Sequence, residues 1–171
     1  MSAIGFGALT SVGGNLQVFE NNDELAAVDF GPITSVDSDL AVSFCSSLRN
    51  VRFGTVVTVG GDVAMSYNPQ LTLLDLGELT RVNGDVGIHH LPLSGVDFGR
   101  LTAAGDSLFI SSNPNLPSIN LQRLATVGEL AGDDDESSGG GGGGGSGRCG
   151  APGCLSRSYS QEPCHLQDCQ W

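Results

Sequence analysis

The chain has 171 residues, of which 26 are glycine; its seven cations are all arginine, and its formal net charge is -12. Such an acidic balance argues against a nucleic-acid duplex or an anionic membrane surface as partner, since each needs a basic face. No apolar run approaches the roughly 20 residues of a transmembrane helix, and residues 1–14 lack the charged and apolar regions of an export signal.

Residues 1–131 are an internal repeat. The string "LTSVGGNLQVFENNDELAAVDFG" begins at Leu9, "ITSVDSDLAVSFCSSLRNVRFG" at Ile33 and "VVTVGGDVAMSYNPQLTLLDLG" at Val56. "LTRVNGDVGIHHLPLSGVDFG" follows at Leu79, "LTAAGDSLFISSNPNLPSINL" at Leu101, and a sixth copy opens at Leu124; the steps are 24, 23, 23, 22 and 23 residues. One apolar column runs Leu16, Leu40, Val63, Val86, Leu108, and two residues on lies Val18, Val42, Met65, Ile88, Ile110. A later pair runs Val28, Val51, Leu74, Val96, Ile119 and Phe30, Phe53, Leu76, Phe98, Leu121. A spacing of two is the side-chain period of a strand, so each copy holds at least two short strands with one buried face. Strands recurring at such a period stack into a parallel β-solenoid whose coils are buried only by their neighbours.

The start of the chain fits the same register. Ile4-Gly5-Phe6-Gly7 lies 24 residues before Val28-Asp29-Phe30-Gly31, so the chain opens halfway through a coil. An uncapped solenoid end exposes apolar core and a strand edge. Earlier coils and an export signal are therefore expected ahead of Met1.

Three residues after the second strand column comes a polar position: Asn21, Cys45, Asn68, Leu91, Asn113. Asn21, Asn68 and Asn113 are expected to form a structural ladder, bonding turn backbone and one another from coil to coil, with Cys45 as a small buried thiol in the same slot. Asp29, Asp75 and Asp97 share a column with Arg52 and Asn120; alternation with core positions points it outward, a solvated face in which the arginine pairs with its acidic neighbours. Thr10, Thr34, Thr80 and Thr102 form another column, interrupted by Val57 and Ala125, which β-sheet stacking accounts for. His89 and His90, being adjacent on a strand, are expected to face opposite sides and not to act together. No phosphate loop, nucleophile elbow or metal triad occurs, so no catalytic, cofactor-binding or metal-ligating residues and no cofactor are expected.

After Leu130 the composition changes to "AGDDDESSGGGGGGGSG", a polar run that cannot bury a core, so residues 132–147 read as a disordered acidic and Gly-rich linker. Residues 148–171 then carry Cys149, Cys154, Cys164 and Cys169 with spacing C-x4-C-x9-C-x4-C. Disulfides suit so small a segment and imply an oxidising compartment. A zinc site is the alternative, although its usual pairs are spaced by two. No Asn-x-Ser/Thr glycosylation site is present.

"MSYNPQLTLL" at 65–74, "ISSNPNLPSI" at 110–119 and the recurring L-T-x-V-x-G-x-L-x-V resemble receptor L domains, leucine-rich-repeat-like modules of insulin- and epidermal-growth-factor-type receptors. The resemblance covers about residues 3–131. It implies an all-β, right-handed, single-stranded parallel β-solenoid, about five to six coils of 22–24 residues here, that serves extracellular ligand binding or adhesion. The pattern departs from the family where "HHLPLSG" puts Leu91 in the asparagine column, and no ligand-contacting residue carries over. "SRSYSQEPCHLQDC" is similar to the closing strand of a thrombospondin type 1 repeat, with Cys154, Cys164 and Cys169 matching its last three cysteines and Trp171 the first tryptophan of a following one. Poly-glycine stands where that family's first half would be.

The expected function is thus a non-enzymatic ligand-binding or adhesion module, cut from a larger extracellular or cell-surface protein, with a protein or glycan partner, no nucleic acid and no membrane insertion. A carbohydrate-active β-helix enzyme and an ice- or surface-adsorbing solenoid are the alternatives.

Overall fold

A computed structural model describes residues 3–19 and 24–128. Asn21, the Gly-rich linker and Cys149, Cys154, Cys164 and Cys169 lie outside the described residues.

Each copy of the repeat makes one turn of three short strands. The first turn holds β1 (Ala3–Gly5), β2 (Ser11–Val12) and β3 (Leu16–Phe19), and the second β4 (Ala27–Asp29), β5 (Ser35–Val36) and β6 (Leu40–Ser43). The third holds β7 (Asn50–Arg52), β8 (Thr58–Val59) and β9 (Val63–Ser66), and the fourth β10 (Leu73–Asp75), β11 (Arg81–Val82) and β12 (Val86–His89). β13 (Val96–Asp97), β14 (Ala103–Ala104) and β15 (Leu108–Ser111) make the fifth, and β16 (Ile119–Asn120) and β17 (Thr126–Val127) follow. Among the described residues no helix forms, and so none is long and apolar enough to cross a membrane.

The strands stack into three parallel sheets. The first orders β1-β4-β7-β10-β13-β16, the second β2-β5-β8-β11-β14-β17 and the third β3-β6-β9-β12-β15. The columns legible in the sequence are the rungs of these ladders: Leu40 is in register with Leu16 and Val63, and Val86 with Val63 and Leu108. The expectation of at least two strands per copy becomes three. The additional one, carrying Val12, Val36, Val59, Val82, Ala104 and Val127, is two residues long in every turn and too short to show an alternation.

Burial follows the nearest-neighbour logic. Val42, Val51, Phe53, Val63 and Met65 in the middle turns are wholly buried, whereas Ile4, Phe6, Leu108, Ile119 and Val127 in the outermost described turns are only partly so. Phe6, Phe30 and Phe53 form a ring ladder inside, stacked in the first pair and edge-to-face in the second, with centroids 5.5 Å apart in both.

The turn after the first sheet needs glycine for two reasons. Gly54 sits at φ +59°, and a Cβ there would lie 2.6 Å from the Gly31 carbonyl oxygen of the preceding coil. Only a residue without a side chain avoids both the left-handed penalty and the clash. Side chains brace one coil to the next: the hydroxyls of Thr34, Thr80 and Thr102 donate to the carbonyls of Thr10, Val57 and Thr80 at 3.0, 3.1 and 2.9 Å. That job accounts for the threonine column without any adsorbed surface.

Candidate functional site: an uncharged sheet edged by stacked rings

The expected asparagine ladder takes a different form. Asn68 Oδ1 accepts the Cys45 N–H and its Nδ2 donates to the Val42 carbonyl, both at 2.9 Å and fully buried. Asn113 repeats the motif two coils further on, accepting from the Leu91 N–H at 3.0 Å and donating to the Ile88 carbonyl at 2.9 Å. Each amide reaches back to a coil whose own position holds Cys45 or Leu91. Asn68 and Asn113 are two coils apart and do not bond each other, so among the described residues the column braces alternate coils and is no continuous ladder. The Cys45 thiol is wholly buried and bonds the Ser43 carbonyl at 3.5 Å.

An unbroken run of coil-to-coil side-chain bonds occurs at another corner. Asn15 Oδ1 accepts the Asp39 N–H at 3.1 Å, Asp39 Oδ1 the Asp62 N–H at 3.0 Å, and Asp62 Oδ1 the Asp85 N–H at 2.8 Å. In the sequence these residues look like ordinary turn formers, which is why the run was not legible. The Oδ1 atoms of Asn15, Asp39 and Asp62 serve backbone, whereas the buried Oδ1 of Asp85, at the end of the run, has no hydrogen-bond partner among the described residues.

The three outer faces differ in kind. On the first sheet Asp29, Arg52, Asp75, Asp97 and Asn120 lie in register and are exposed or partly exposed, as expected. Asp29, Asp75 and Asp97 each accept the N–H of the glycine two residues on, at 2.9, 2.9 and 2.7 Å, a turn-building role. Among the described residues the carboxylate–guanidinium pair is Glu78 with Arg100; Arg52 does not pair with its acidic neighbours. The threonine column lies one residue before the strands of the second sheet, whose leading positions are Ser11, Ser35, Thr58, Arg81, Ala103 and Thr126. Among the described residues no group of three or more His, Cys, Asp or Glu side chains could hold a metal ion.

The third sheet is uncharged. Its core positions alternate with Gln17, Ala41, Ala64, Gly87 and Phe109, then Phe19, Ser43, Ser66, His89 and Ser111, each set in register across the coils. Ala41 and Ala64 put small apolar side chains on its outer face, the His89 ring lies against the buried Gly87, and the Ser43 and Ser66 hydroxyls bond at 3.0 Å.

The corner that follows carries the site that sequence reasoning missed. Phe44, Tyr67, His90 and Ser112 all have left-handed backbone, with φ between 53° and 59°. The rings of Phe44 and Tyr67 lie nearly parallel with centroids 4.8 Å apart, and those of Tyr67 and His90 with centroids 4.5 Å apart. His89 meets both Tyr67 and His90 edge-on, at 6.1 and 5.7 Å. The expectation that the two histidines face opposite sides is thus corrected: the strand ends at His89, and the positive φ of His90 swings its ring back to the same side. Phe44 remains 54% exposed and Tyr67 44%, with Phe19 nearby in the adjoining column at 53%.

Magnitudes decide what this costs. A bulky residue in the left-handed region is disfavoured by about 1–2 kcal/mol, and one aromatic pair returns about 0.5–1.5 kcal/mol. Phe44, Tyr67 and His90 share only two stacked pairs, so stacking does not offset the strain. At the other left-handed corner Gly31, Gly54 and Gly77 adopt the same φ without strain, so stacking alone gives no reason to put rings here.

No family model, no curated protein and no solved structure matches this chain. The site must therefore be read from its own chemistry.

Partial burial disfavours the imidazolium of His89, and repulsion from a charged His90 adds to this, so its pKa lies below the usual 6.5. The unfolded chain then takes up this proton first as pH falls. The stabilisation is complete above the unfolded value and is lost as pH drops through it toward the depressed folded one. Thermal unfolding from about pH 7.5 down to about pH 5.5 should show a falling midpoint, and His89→Gln should flatten that part of the profile. An unchanged profile in the variant would contradict this environment for His89.

Proposed function

We propose that this chain is a non-catalytic ligand-binding or adhesion module of an extracellular or cell-surface protein, presenting one solenoid face to a protein or glycan. The carrying observation is the segregation of its surfaces: a chain of net charge -12 keeps one whole sheet uncharged and borders it with exposed rings held in strained backbone. Strain retained at an exposed position points to a use at that position. Exposed aromatic side chains bring large contact area at little entropic cost, which suits recognition. The likeness of the repeat to receptor L domains, and of the tail to a thrombospondin type 1 repeat, supports an extracellular setting.

The test is a binding screen of the full chain against immobilised glycans and extracellular protein domains. Saturable binding to one class is expected. Absence of binding together with hydrolysis of a polysaccharide would favour an enzyme instead.

A further inference from the structure

We propose that the third sheet and its ring-edged corner bind a neutral polysaccharide, an assignment that rests on the binding-module reading and names its ligand class. Four observations carry it. The floor of Ala41 and Ala64 is apolar, with the His89 imidazole lying against Gly87 in the next coil, and no ionised side chain occurs in Leu40–Ser43, Val63–Ser66 or the corner residues Phe44 and Tyr67 that follow. At its corner end the polar groups are hydroxyls and imidazoles (Ser43, Tyr67, His89, His90), which both donate and accept, as sugar hydroxyls do, whereas the carboxylates of Asp39, Asp62 and Asp85 stand at the opposite end of the strands.

The stack also presents ring surface. For nearly parallel rings to touch at 4.8 Å between centroids, they must be offset by roughly 3 Å. Tyr67 is stacked on both faces, by Phe44 and His90, and presents its edge, whereas Phe44 is stacked by Tyr67 and, at 54% exposure, is the ring that offers a face to the C–H face of a sugar.

The rungs recur from coil to coil, so a polymer of repeating units can engage several at once and gain avidity from each. Electrostatics selects the neutral member of the class. A net charge of -12 with no lysine repels uronate and sulfate chains.

A peptide ligand fits less well. Proline-rich segments need grooves between aromatic ridges, and here neighbouring rings close the gap. Strand addition needs a free edge, and β6, β9 and β12 are paired on both sides.

The experiment measures binding of the full chain to soluble β-glucan, xylan and galactomannan, to polygalacturonate and heparin, and to a proline-rich peptide and an extracellular-domain library. Tyr67→Gly and the Phe44→Gly/Tyr67→Gly pair remove rings while suiting the positive φ, and Leu73→Ser removes an exposed apolar side chain from the first sheet. At least one neutral polysaccharide should bind. The affinity should fall between roughly twofold and tenfold per ring lost and stay unchanged in Leu73→Ser. Should a glycine variant unfold, titration of the wild-type chain must still shift the Tyr67 ring protons. Binding that is indifferent to the rings, or selective for anionic chains, overturns the proposal. Binding only to peptide or protein overturns it while leaving the binding-module reading intact; binding to nothing overturns both, and cleavage of the polysaccharide overturns the module reading itself.

Discussion

Replacing Asn68 by leucine should destabilise the fold by about 2–6 kcal/mol, because two buried backbone groups lose their partners at about 1–3 kcal/mol each. Those groups are the Cys45 N–H and the Val42 carbonyl. The effect is polar and not steric, since Leu91 occupies the same column in the next coil and is itself buried. Denaturant unfolding should show a lower midpoint with an unchanged slope. Asn113→Leu should cost less, its bonds being only partly buried. Equal losses at both positions would mean that burial does not set the cost.

Phe53→Ala should cost about 3–5 kcal/mol, the range for emptying a large aromatic site in a core. Phe53 is wholly buried in a middle turn and gives Phe30 its edge-to-face partner. In a solenoid each coil is covered only by the coils above and below, so a cavity here weakens two interfaces at once. Phe6→Ala, in an outer described turn where the ring is only partly buried, should cost clearly less. Similar costs for the two would show that stability does not depend on place in the stack.

How much of this was legible in the sequence depended on whether side-chain period carried the information. The columns through Leu16 and Val18, and through Val28 and Phe30, became ladder rungs because a two-residue alternation with one buried face specifies both strand and register. The two-residue strands holding Val36 and Val59 were not separable, as nothing can alternate over so short a stretch. The outward aim of Asp29, Asp75 and Asp97 followed from the same alternation.

The ring-edged corner was hidden for a different reason. Phe44, Tyr67 and His90 are three residue types in one column, so no repeated letter marks it. Their meeting depends on a positive φ, which sequence patterns associate with glycine. The same blind spot separated His89 from His90, which a strand would place on opposite faces. The asparagine column was visible as a column, but its alternate-coil bracing emerged only from the reach of Asn68 back to Cys45.

The account stands on sequence-distant columns being physical stacks, and ring-to-ring nuclear Overhauser effects in the unmodified chain read this directly. Cross-peaks should connect Phe44 with Tyr67 and Tyr67 with His90, whose centroids lie 4.8 and 4.5 Å apart, and should be missing between Phe44 and His90, two coils apart. Rings that show no mutual contact, or a direct Phe44–His90 cross-peak, would contradict the register and the binding surface built upon it.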